Sequence, residues 1–375
     1  MILGVACLAL LCAASARSAD PGISDSEIVI GQSITLQGGA NSYGVAAHKG
    51  MTLHIDQVNA AGGVHGRRIV VKTLDDDNKV AQAEANARKL VDDGVFMLFG
   101  SIEGGPSSAV MKVAVDRNVP FFGPMAGPPA LRRPHQAMVF PVRAEHREEF
   151  RALMSWGKTT GLKTVGFFHV EGANGQEHLN NVTLIAKDLG MQVVLAVPFK
   201  SGIGDGELDE VVARIEQAKP DMFFNHGSAG VYAKLVAKAR KKEGIRTNFM
   251  AVNSGSTQIA KDLGPLAQGM VFSQVVPNPW ERKHEISREY QDAARRSDPN
   301  AELSYGGMEG FLTAKAMVAA LKLAGRAPSR AGLVRALEGA AIDLGGVKVQ
   351  YAPGDHAGSR FVDLSMVNRN GRFIH

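Results

Sequence analysis

The chain has 375 residues, of which 45% are hydrophobic and 21% are charged, and its formal net charge is +5. These proportions are typical of a globular protein and exclude a disordered chain or one mostly embedded in a membrane, and the length suits two domains rather than one. The basic residues are scattered, and no basic stripe is interleaved with aromatic residues, so no nucleic-acid partner is predicted.

The first 19 residues, MILGVACLALLCAASARSA, form an apolar segment that ends in small residues. This pattern predicts a secretory signal peptide, with cleavage after Ala16 or near residues 18–19. The two cysteines, Cys7 and Cys12, both lie in this segment. The mature chain is therefore expected to have no disulfide, no thiol chemistry and no cysteine-bound metal. No later apolar run reaches the ~20 residues that a membrane span needs.

A first series of alternating strands and helices follows the signal segment. The predicted strands are 27–35, 68–74, 95–99, 119–122 and 138–142, and the predicted helices are 45–60, 80–92 and 107–117. The strands at 95–99 and 119–122 are continuously apolar, which is typical of strands buried on both faces of a parallel sheet. The loops after them, GSIEGGPSS and GPMAGPPAL, lie where open parallel sheets bind ligands. The three aspartates at 75–77 are interpreted as a helix N-cap rather than a metal site.

A second series of the same rhythm begins near residue 148. Its predicted helices are 148–160, 175–189, 207–218 and 229–242, and its predicted strands are 163–169, 192–198, 221–225, 248–252 and 269–276. Helices at 285–297, 309–323 and 330–337 and tail strands at 347–351, 361–367 and 372–374 complete the chain. Two such series predict an α/β protein with two doubly wound, Rossmann-like lobes. The chain is expected to cross between them near 143–147, 275–279 and 345–360.

Several segments resemble one family when they are taken in order. They are IVIGQSITLQGGANSYG, VNAAGGVHGRRIVVKTLDDDN, ARKLVDDGVFMLFG, NVPFFGP, SQVVPNP and SYGGMEGFLTAKAMVAAL. They are similar to the branched-chain amino-acid-type (Leu/Ile/Val-binding-like) periplasmic binding proteins, which are the substrate-binding components of ABC importers. The resemblance covers nearly the whole mature chain.

The resemblance implies a type I periplasmic binding fold, in which two lobes on a three-strand hinge close over a small molecule like a Venus flytrap. The N-terminal lobe would comprise residues 24–143 and 278–345, and the C-terminal lobe residues 144–277 and 346–375. It also implies a monomer in the periplasm that has an ABC permease of the inner membrane as its partner. No cofactor, no metal and no catalysis are expected.

The first lobe departs from the pattern of family members that hold an α-amino acid. Such members usually carry a hydroxyl residue in the loop after the third strand, where this chain has Gly104 and Gly105, with Ser107 two residues on. A threonine is usual in the loop after the fourth strand, where this chain has Ala126 and Gly127. An amino-acid carboxylate would therefore lose side-chain hydroxyl donors, and backbone N–H groups would have to serve.

The second lobe departs in the same way. An aromatic residue is usual where this chain has Asn174, and an acidic residue that takes the ammonium is usual near Asn253. An ammonium buried without a partner would cost several kcal/mol. We therefore expect a small organic acid or an aromatic compound rather than a typical branched-chain amino acid.

Six further residues are candidate ligand contacts, each with a structural alternative. Tyr43 forms either an amphipathic wall of the cleft or ordinary packing, and Glu103 either binds a cationic or hydroxyl group or is a solvated loop carboxylate. The remaining candidates are His226 and Ser228, which follow the strand 221–225, His146 at the first hinge, and Tyr305 at a cleft edge or in the core.

Three alternatives remain in view for the function. The same lobes could serve a periplasmic sensor that partners a membrane kinase, or an amino-acid binder that uses backbone donors. An enzyme is disfavoured, because no GxGxxG follows the first strand, and neither a nucleophile elbow nor a zinc-type spacing of histidine and glutamate is present in the sequence.

Overall fold

The computed structural model describes residues 20–200 and 202–375, so the predicted signal peptide lies outside the described residues. The α-helices are α1 (Ser42–Ala60), α2 (Val80–Asp92), α3 (Gly104–Asp116), α4 (His146–Thr159), α5 (Ala173–Leu189), α6 (Asp205–Ala218), α7 (Ala229–Ala239), α8 (Ser256–Leu263), α9 (Glu285–Ser297), α10 (Tyr305–Leu323) and α11 (Arg330–Glu338). The strands are β1 (Glu27–Ile34), β2 (Arg68–Asp75), β3 (Leu98–Phe99), β4 (Phe121–Phe122), β5 (Val139–Phe140), β6 (Thr164–Val170), β7 (Gln192–Phe199), β8 (Met222–His226), β9 (Asn248–Ala251), β10 (Val271–Gln274), β11 (Ala341–Asp343), β12 (Lys348–Ala352), β13 (Asp355–Gly358), β14 (Asp363–Val367) and β15 (Phe373–Ile374).

The N-terminal lobe is built on a five-stranded parallel sheet in the order β2-β1-β3-β4-β5. Its longest ladder joins β1 to β2 over eight residue pairs. The predicted strand 95–99 is shortened to Leu98 and Phe99, although Val95, Phe96 and Met97 are buried as expected. The continuous apolar run therefore predicts which residues are buried better than it predicts how many of them pair in the sheet.

The C-terminal lobe is built on a seven-stranded sheet in the order β15-β14-β10-β9-β8-β6-β7. The five strands from β6 to β10 are parallel, and β14 and β15 add an antiparallel edge. Helices α9, α10 and α11 return to the first lobe, where α10 packs along α1. Two doubly wound lobes were predicted from the sequence, and that prediction is confirmed.

The hairpin of β12 and β13 contacts the N-terminal lobe, whereas the predicted boundary at residue 345 places it in the C-terminal lobe. The Tyr351 hydroxyl donates to the Pro141 carbonyl at 2.9 Å, and the His356 ring bonds the Val139 carbonyl at 3.0 Å. The apolar face of the hairpin packs on the residues around β5 because Tyr351 and Val349 are buried there. The chain consequently returns to the second lobe after residue 358, at β14.

The three aspartates do not cap α2 as the sequence predicts. The N-cap position is Lys79, which makes no side-chain cap hydrogen bond. Asp75 instead accepts backbone N–H groups of Leu36, Gln37 and Gly38 at 2.9–3.2 Å, and so closes the loop after β1. Among the described residues, no helix combines the length and the apolar character that a membrane crossing would need.

Candidate ligand-binding cleft

A cleft of about 710 Å³ lies between the lobes, at the carboxyl ends of the parallel strands of both sheets. This volume lies within the range of about 300–1,000 Å³ that is usual for small-molecule pockets. Seven helices, α1, α2, α3, α4, α5, α7 and α8, begin at or beside residues that line it. The first turn of a helix has free N–H groups and a partial positive charge, so these helix ends favour a ligand with acceptor or anionic groups.

The N-terminal lobe contributes a wall that contains five of the predicted residues: Tyr43, Glu103, Gly104, Gly105 and Ala126. Glu103 precedes α3 with a φ of 63°, in the left-handed region. Burial raises the pKa of the Glu103 carboxyl, so this group binds a proton more readily than an exposed glutamate. The glycines leave the backbone of the first helical turn uncovered for a ligand.

The C-terminal lobe contributes four more of the predicted residues: His146, Asn174, His226 and Ser228. Asn174 Nδ2 lies 3.8 Å from where a Cβ would stand on Gly104, so the opposing rims nearly touch. Within the described part of the chain, His226 Nδ1 is buried and makes no hydrogen bond. The wall therefore offers an amide, a hydroxyl and imidazole rings.

Ser107 and Gly127 do not line the cleft. The structure begins α3 three residues before the predicted start, which places Ser107 in the first helical turn with its side chain fully buried. Its hydroxyl lies 2.7 Å from Ser101 Oγ and donates to the Ile102 carbonyl. Gly127 packs under His146, whose N–H donates to the Gly127 carbonyl at 3.1 Å.

Asn253 and Tyr305 also lie outside the cleft wall. Asn253 is buried beneath it, and its Nδ2 donates to Glu309 Oε2 at 2.6 Å. Tyr305 packs against Trp280 and Phe373, with its hydroxyl 3.2 Å from His375 Nε2. The position of Tyr305 depends on the C-terminal strand β15, which sequence spacing alone does not place.

Several lining residues were not among the predicted contacts. Most are polar or charged side chains at helix starts or just after strands, namely Asn41, Ser42, Asn78, Glu171, Lys200, Ser254 and Gln258. Asp262 lies near the end of α8. The common signal of the others is position, because each follows a strand that ends at the cleft or belongs to the first turn of the next helix. Applying the strand-end rule to every loop, and not only to those rich in glycine, would have found most of them.

A buried ionic cluster forms the floor beneath the cleft. Glu149 is fully buried and accepts from the Arg143 guanidinium, from the His146 ring at 2.7 Å and from the Ser273 hydroxyl at 3.0 Å. Burial alone would raise the pKa of Glu149, but Arg143 and His146 outweigh it and hold that pKa below its usual value. The carboxylate is therefore charged at neutral pH.

Glu309 is the second carboxyl of this floor, and its environment differs. Its Oε2 accepts from the Tyr43 hydroxyl at 2.8 Å and from Asn253, whereas its buried Oε1 has no hydrogen-bond donor within residues 20–200 and 202–375. Burial raises the pKa of Glu309 despite Arg143 nearby. Tyr43 thus belongs both to the cleft wall and to the floor.

Three histidines lie together under the C-terminal wall. The ring centroids of His178 and His226 are 3.8 Å apart, and those of His146 and His226 are 4.9 Å apart. Burial and the neighbouring rings lower the pKa of both His178 and His226 well below the usual value. These rings are neutral at pH 7 and present aromatic edges as well as nitrogen atoms.

The model of a family described as periplasmic binding protein matches residues 27–372 of this chain. The chain belongs to the periplasmic binding protein family. Its members are solute-binding proteins and not enzymes, so the family and the type I fold that the sequence predicts are both confirmed. Four of the predicted site residues nevertheless lie outside the cleft wall of this periplasmic binding protein.

Relatives and structures of the same family carry names that point to different ligands. The chain is 22% identical over 315 residues to the Leu/Ile/Val-binding protein homolog 2 of Brucella abortus, covering 82% of each protein. A substrate-binding periplasmic protein from Ralstonia solanacearum superposes with a TM-score of 0.84 at 25% identity, over 93% of this chain and 99% of that one. A solute-binding protein from R. palustris in complex with benzoate superposes with a TM-score of 0.80 at 17% identity, over 93% and 95%. At these identities the fold is shared and the ligand is open.

Proposed function

We propose that this periplasmic binding protein is the solute-binding component of an ABC importer and carries a small organic acid or aromatic compound to an inner-membrane permease. The observation that carries the ligand class is the set of seven helix N-termini that converge on the cleft. Anions are stabilised at such positions by free N–H groups and by the helix dipole. The benzoate complex of the structurally similar R. palustris protein supports the same class.

The charged side chains of the cleft refine this proposal. Within the described residues, Lys200 is the one lysine or arginine that lines the cleft, against Glu103, Glu171 and Asp262. A ligand carboxylate would therefore be held by backbone N–H groups and neutral side chains rather than by a bidentate arginine. The His146 and His226 rings, with the apolar body of Tyr43, supply surface for an aromatic or branched hydrocarbon group.

A second candidate ligand is an α-amino acid, and Glu103 is the observation that favours it. Its carboxyl lines the cleft beside the N-terminus of α3. Glu103 could therefore bind the ammonium of an amino acid while the N–H groups of the helix bind its carboxylate. Burial raises the pKa of Glu103, and an ammonium beside it would lower that pKa again. A protonated Glu103 would instead donate a hydrogen bond to an acid.

Thermal-shift and calorimetric titration of residues 20–375 with matched ligand pairs separates the two candidates. Benzoate, 4-methyl-2-oxopentanoate and leucine are the first probes, because the last two differ only in the 2-oxo and 2-ammonio groups. We expect the acids to raise Tm and leucine, isoleucine and valine to leave it unchanged. Glu103→Gln should keep the affinity for acids, with Glu171→Gln as the control at the same cleft.

Strong stabilisation by leucine that is lost in Glu103→Gln but kept in Glu171→Gln would replace the organic acid with an amino acid. The importer role is tested separately. Uptake of the identified ligand should fall in a strain that lacks this protein and return with the intact gene. Undiminished uptake, together with a ligand-dependent response of a membrane kinase, would favour the sensor role instead.

A further inference from the structure

Three potential metal ligands from distant parts of the chain meet beside the hairpin of β12 and β13. His135 lies in the loop before β5, Glu338 is the last residue of α11, and His356 lies in β13. Their ligand atoms all lie within 4.8 Å of one another. None of the three lines the interlobe cleft, so the group is separate from the proposed solute site.

The hydrogen bonds of His356 fix the direction in which its ring presents a lone pair. Nδ1 lies 3.0 Å from the Val139 carbonyl oxygen, which can only accept, so Nδ1 carries the proton. In the neutral ring Nε2 is then an acceptor, yet it faces Glu338 Oε1 at 3.3 Å. Two acceptors that face each other at this distance repel each other unless a cation binds to both of them. A histidine that donates its other N–H to a carbonyl is also the usual arrangement of a metal-bound imidazole.

His135 completes the group from the third side. Its ring meets that of His356 edge to face, with the centroids 4.5 Å apart. In the part of the chain that the structure describes, His135 Nδ1 is buried and has no hydrogen-bond partner. Phe140 stacks under His356 with the ring centroids 4.2 Å apart and holds that ring in place. The group thus has one rigid ligand and two ligands with room to adjust.

We propose that His135, Glu338 and His356 bind one divalent transition-metal ion, with Zn²⁺ as the expected ion. Two imidazoles and one carboxylate form a common zinc donor set, and a water molecule takes the fourth position. Neighbouring ligands of a tetrahedral zinc ion are about 3.4 Å apart, which the 3.3 Å between Nε2 and Oε1 already matches. Mg²⁺ and Ca²⁺ prefer sites made entirely of oxygen ligands and are excluded by the two imidazoles.

The ion would join three segments of the N-terminal lobe, the first of which precedes the other two by about 200 residues in sequence. His356 lies two residues before Gly358, and the Ser359 N–H that follows donates to the Val142 carbonyl at 2.9 Å. The site therefore sits where the first and third crossings leave this lobe. Ion binding would hold the hairpin and α11 against β5 and leave the cleft walls unchanged.

Calorimetric titration of tag-free, chelator-treated residues 20–375 with ZnCl₂ tests the proposal. We expect one saturable site with micromolar or tighter affinity and a rise of Tm that chelation reverses. His135→Gln and Glu338→Gln should each weaken binding at least about tenfold, while His65→Gln, at a half-buried histidine elsewhere, should leave it unchanged. Co²⁺ in place of Zn²⁺ should give visible absorption bands of a four- or five-coordinate ion.

Variants at His356 are avoided because that ring is buried, and circular dichroism of the two partly exposed variants verifies their folding. Absence of saturable micromolar binding would overturn the proposal. Zinc affinity that survives the double variant His135→Gln/Glu338→Gln would place the ion elsewhere and overturn it equally.

Discussion

Glu149→Gln tests the buried floor of the cleft most directly. The carboxylate accepts from Arg143, His146, Asn253 N–H and Ser273, with the last three at 2.7–3.0 Å. Glutamine keeps the shape, removes the charge and turns an amide NH₂ toward groups that are themselves donors. Removing one partner of a buried ion pair costs about 3–5 kcal/mol, and we expect a loss of unfolding free energy in that range.

Glu309→Gln is the matched control, because it changes the other carboxyl of the same cluster. Oε2 of Glu309 already receives the available donors, and Oε1 has none within the described residues. Burial raises the pKa of Glu309, and Arg143 Nη1 lies 3.7 Å from Oε1, beyond hydrogen-bond distance. Glutamine can keep both hydrogen bonds by pointing its oxygen at Tyr43 and Asn253. The expected cost is below about 1 kcal/mol.

Urea unfolding followed by fluorescence and circular dichroism gives both free energies, provided that the two signals coincide. Trp156 in α4 and Trp280 after β10 report on different parts of the molecule. Equal losses for the two glutamine variants, or a larger loss for Glu309→Gln, would refute the assignment of the charge to Glu149. A change in the m-value would signal a change in compactness rather than in the ion pair.

Three further substitutions probe burial, a loop carboxylate and a helix crossing. His178→Leu removes a buried ring that has no hydrogen-bond partner among the described residues, and it should be neutral or stabilise the protein by about 1 kcal/mol at pH 7. Because the pKa of His178 is lower in the folded than in the unfolded protein, the stability of the wild type falls as the pH decreases below about 6.5. The variant should remove up to about 1.4 kcal/mol per pH unit of that fall. Asp75→Asn should destabilise the protein at pH 7. Partial burial would raise the pKa of Asp75, but backbone N–H donors lower it to about 2. The difference in stability between wild type and variant, measured by urea midpoints, should therefore fade as the pH drops from about 4 toward 2. Gly50→Ala places a Cβ 1.9 Å from the Gly307 carbonyl oxygen where α1 crosses α10 and should lower the Tm strongly, by several degrees for each kcal/mol lost, whereas Gly206→Ala, with open space around its Cβ, should not.

The strand-end rule explains why part of the site could be predicted from sequence. His226 is the last residue of β8 and Ser228 follows it, so the carboxyl end of an apolar strand was enough to place both at the cleft. Gly104 and Gly105 were found in the same way, because they follow β3 and open α3. In each of these cases a residue lines the cleft because it follows the end of a strand, and the local hydrophobic pattern shows where that strand ends.

Most of the other placements depend on a distant segment. Tyr305 packs on Phe373 of the last strand. Ser107 is the exception, because the early start of α3 turns it inward to Ser101, only six residues before it. Asp75 binds the loop after β1 rather than its own helix. The proposed metal ligands His135 and His356 could not be paired from the sequence, since no spacing rule joins residues more than 200 positions apart.

The floor and the rim of the cleft perform separable tasks. Hydrogen bonds from Asn253 to Glu309, and from the His146 N–H to the Gly127 carbonyl, already join the lobes beneath the cleft. The protein's own polar contacts beneath the cleft therefore help to hold the two lobes together. The helix ends and side chains that line the cleft are the groups that a ligand would contact. Tyr43 belongs to both layers, because its ring lines the cleft and its hydroxyl donates to Glu309. A ligand that moves this ring would act on the interlobe contacts through a single hydrogen bond. His146 offers a second such path, because it lines the cleft and its own N–H donates to the Gly127 carbonyl.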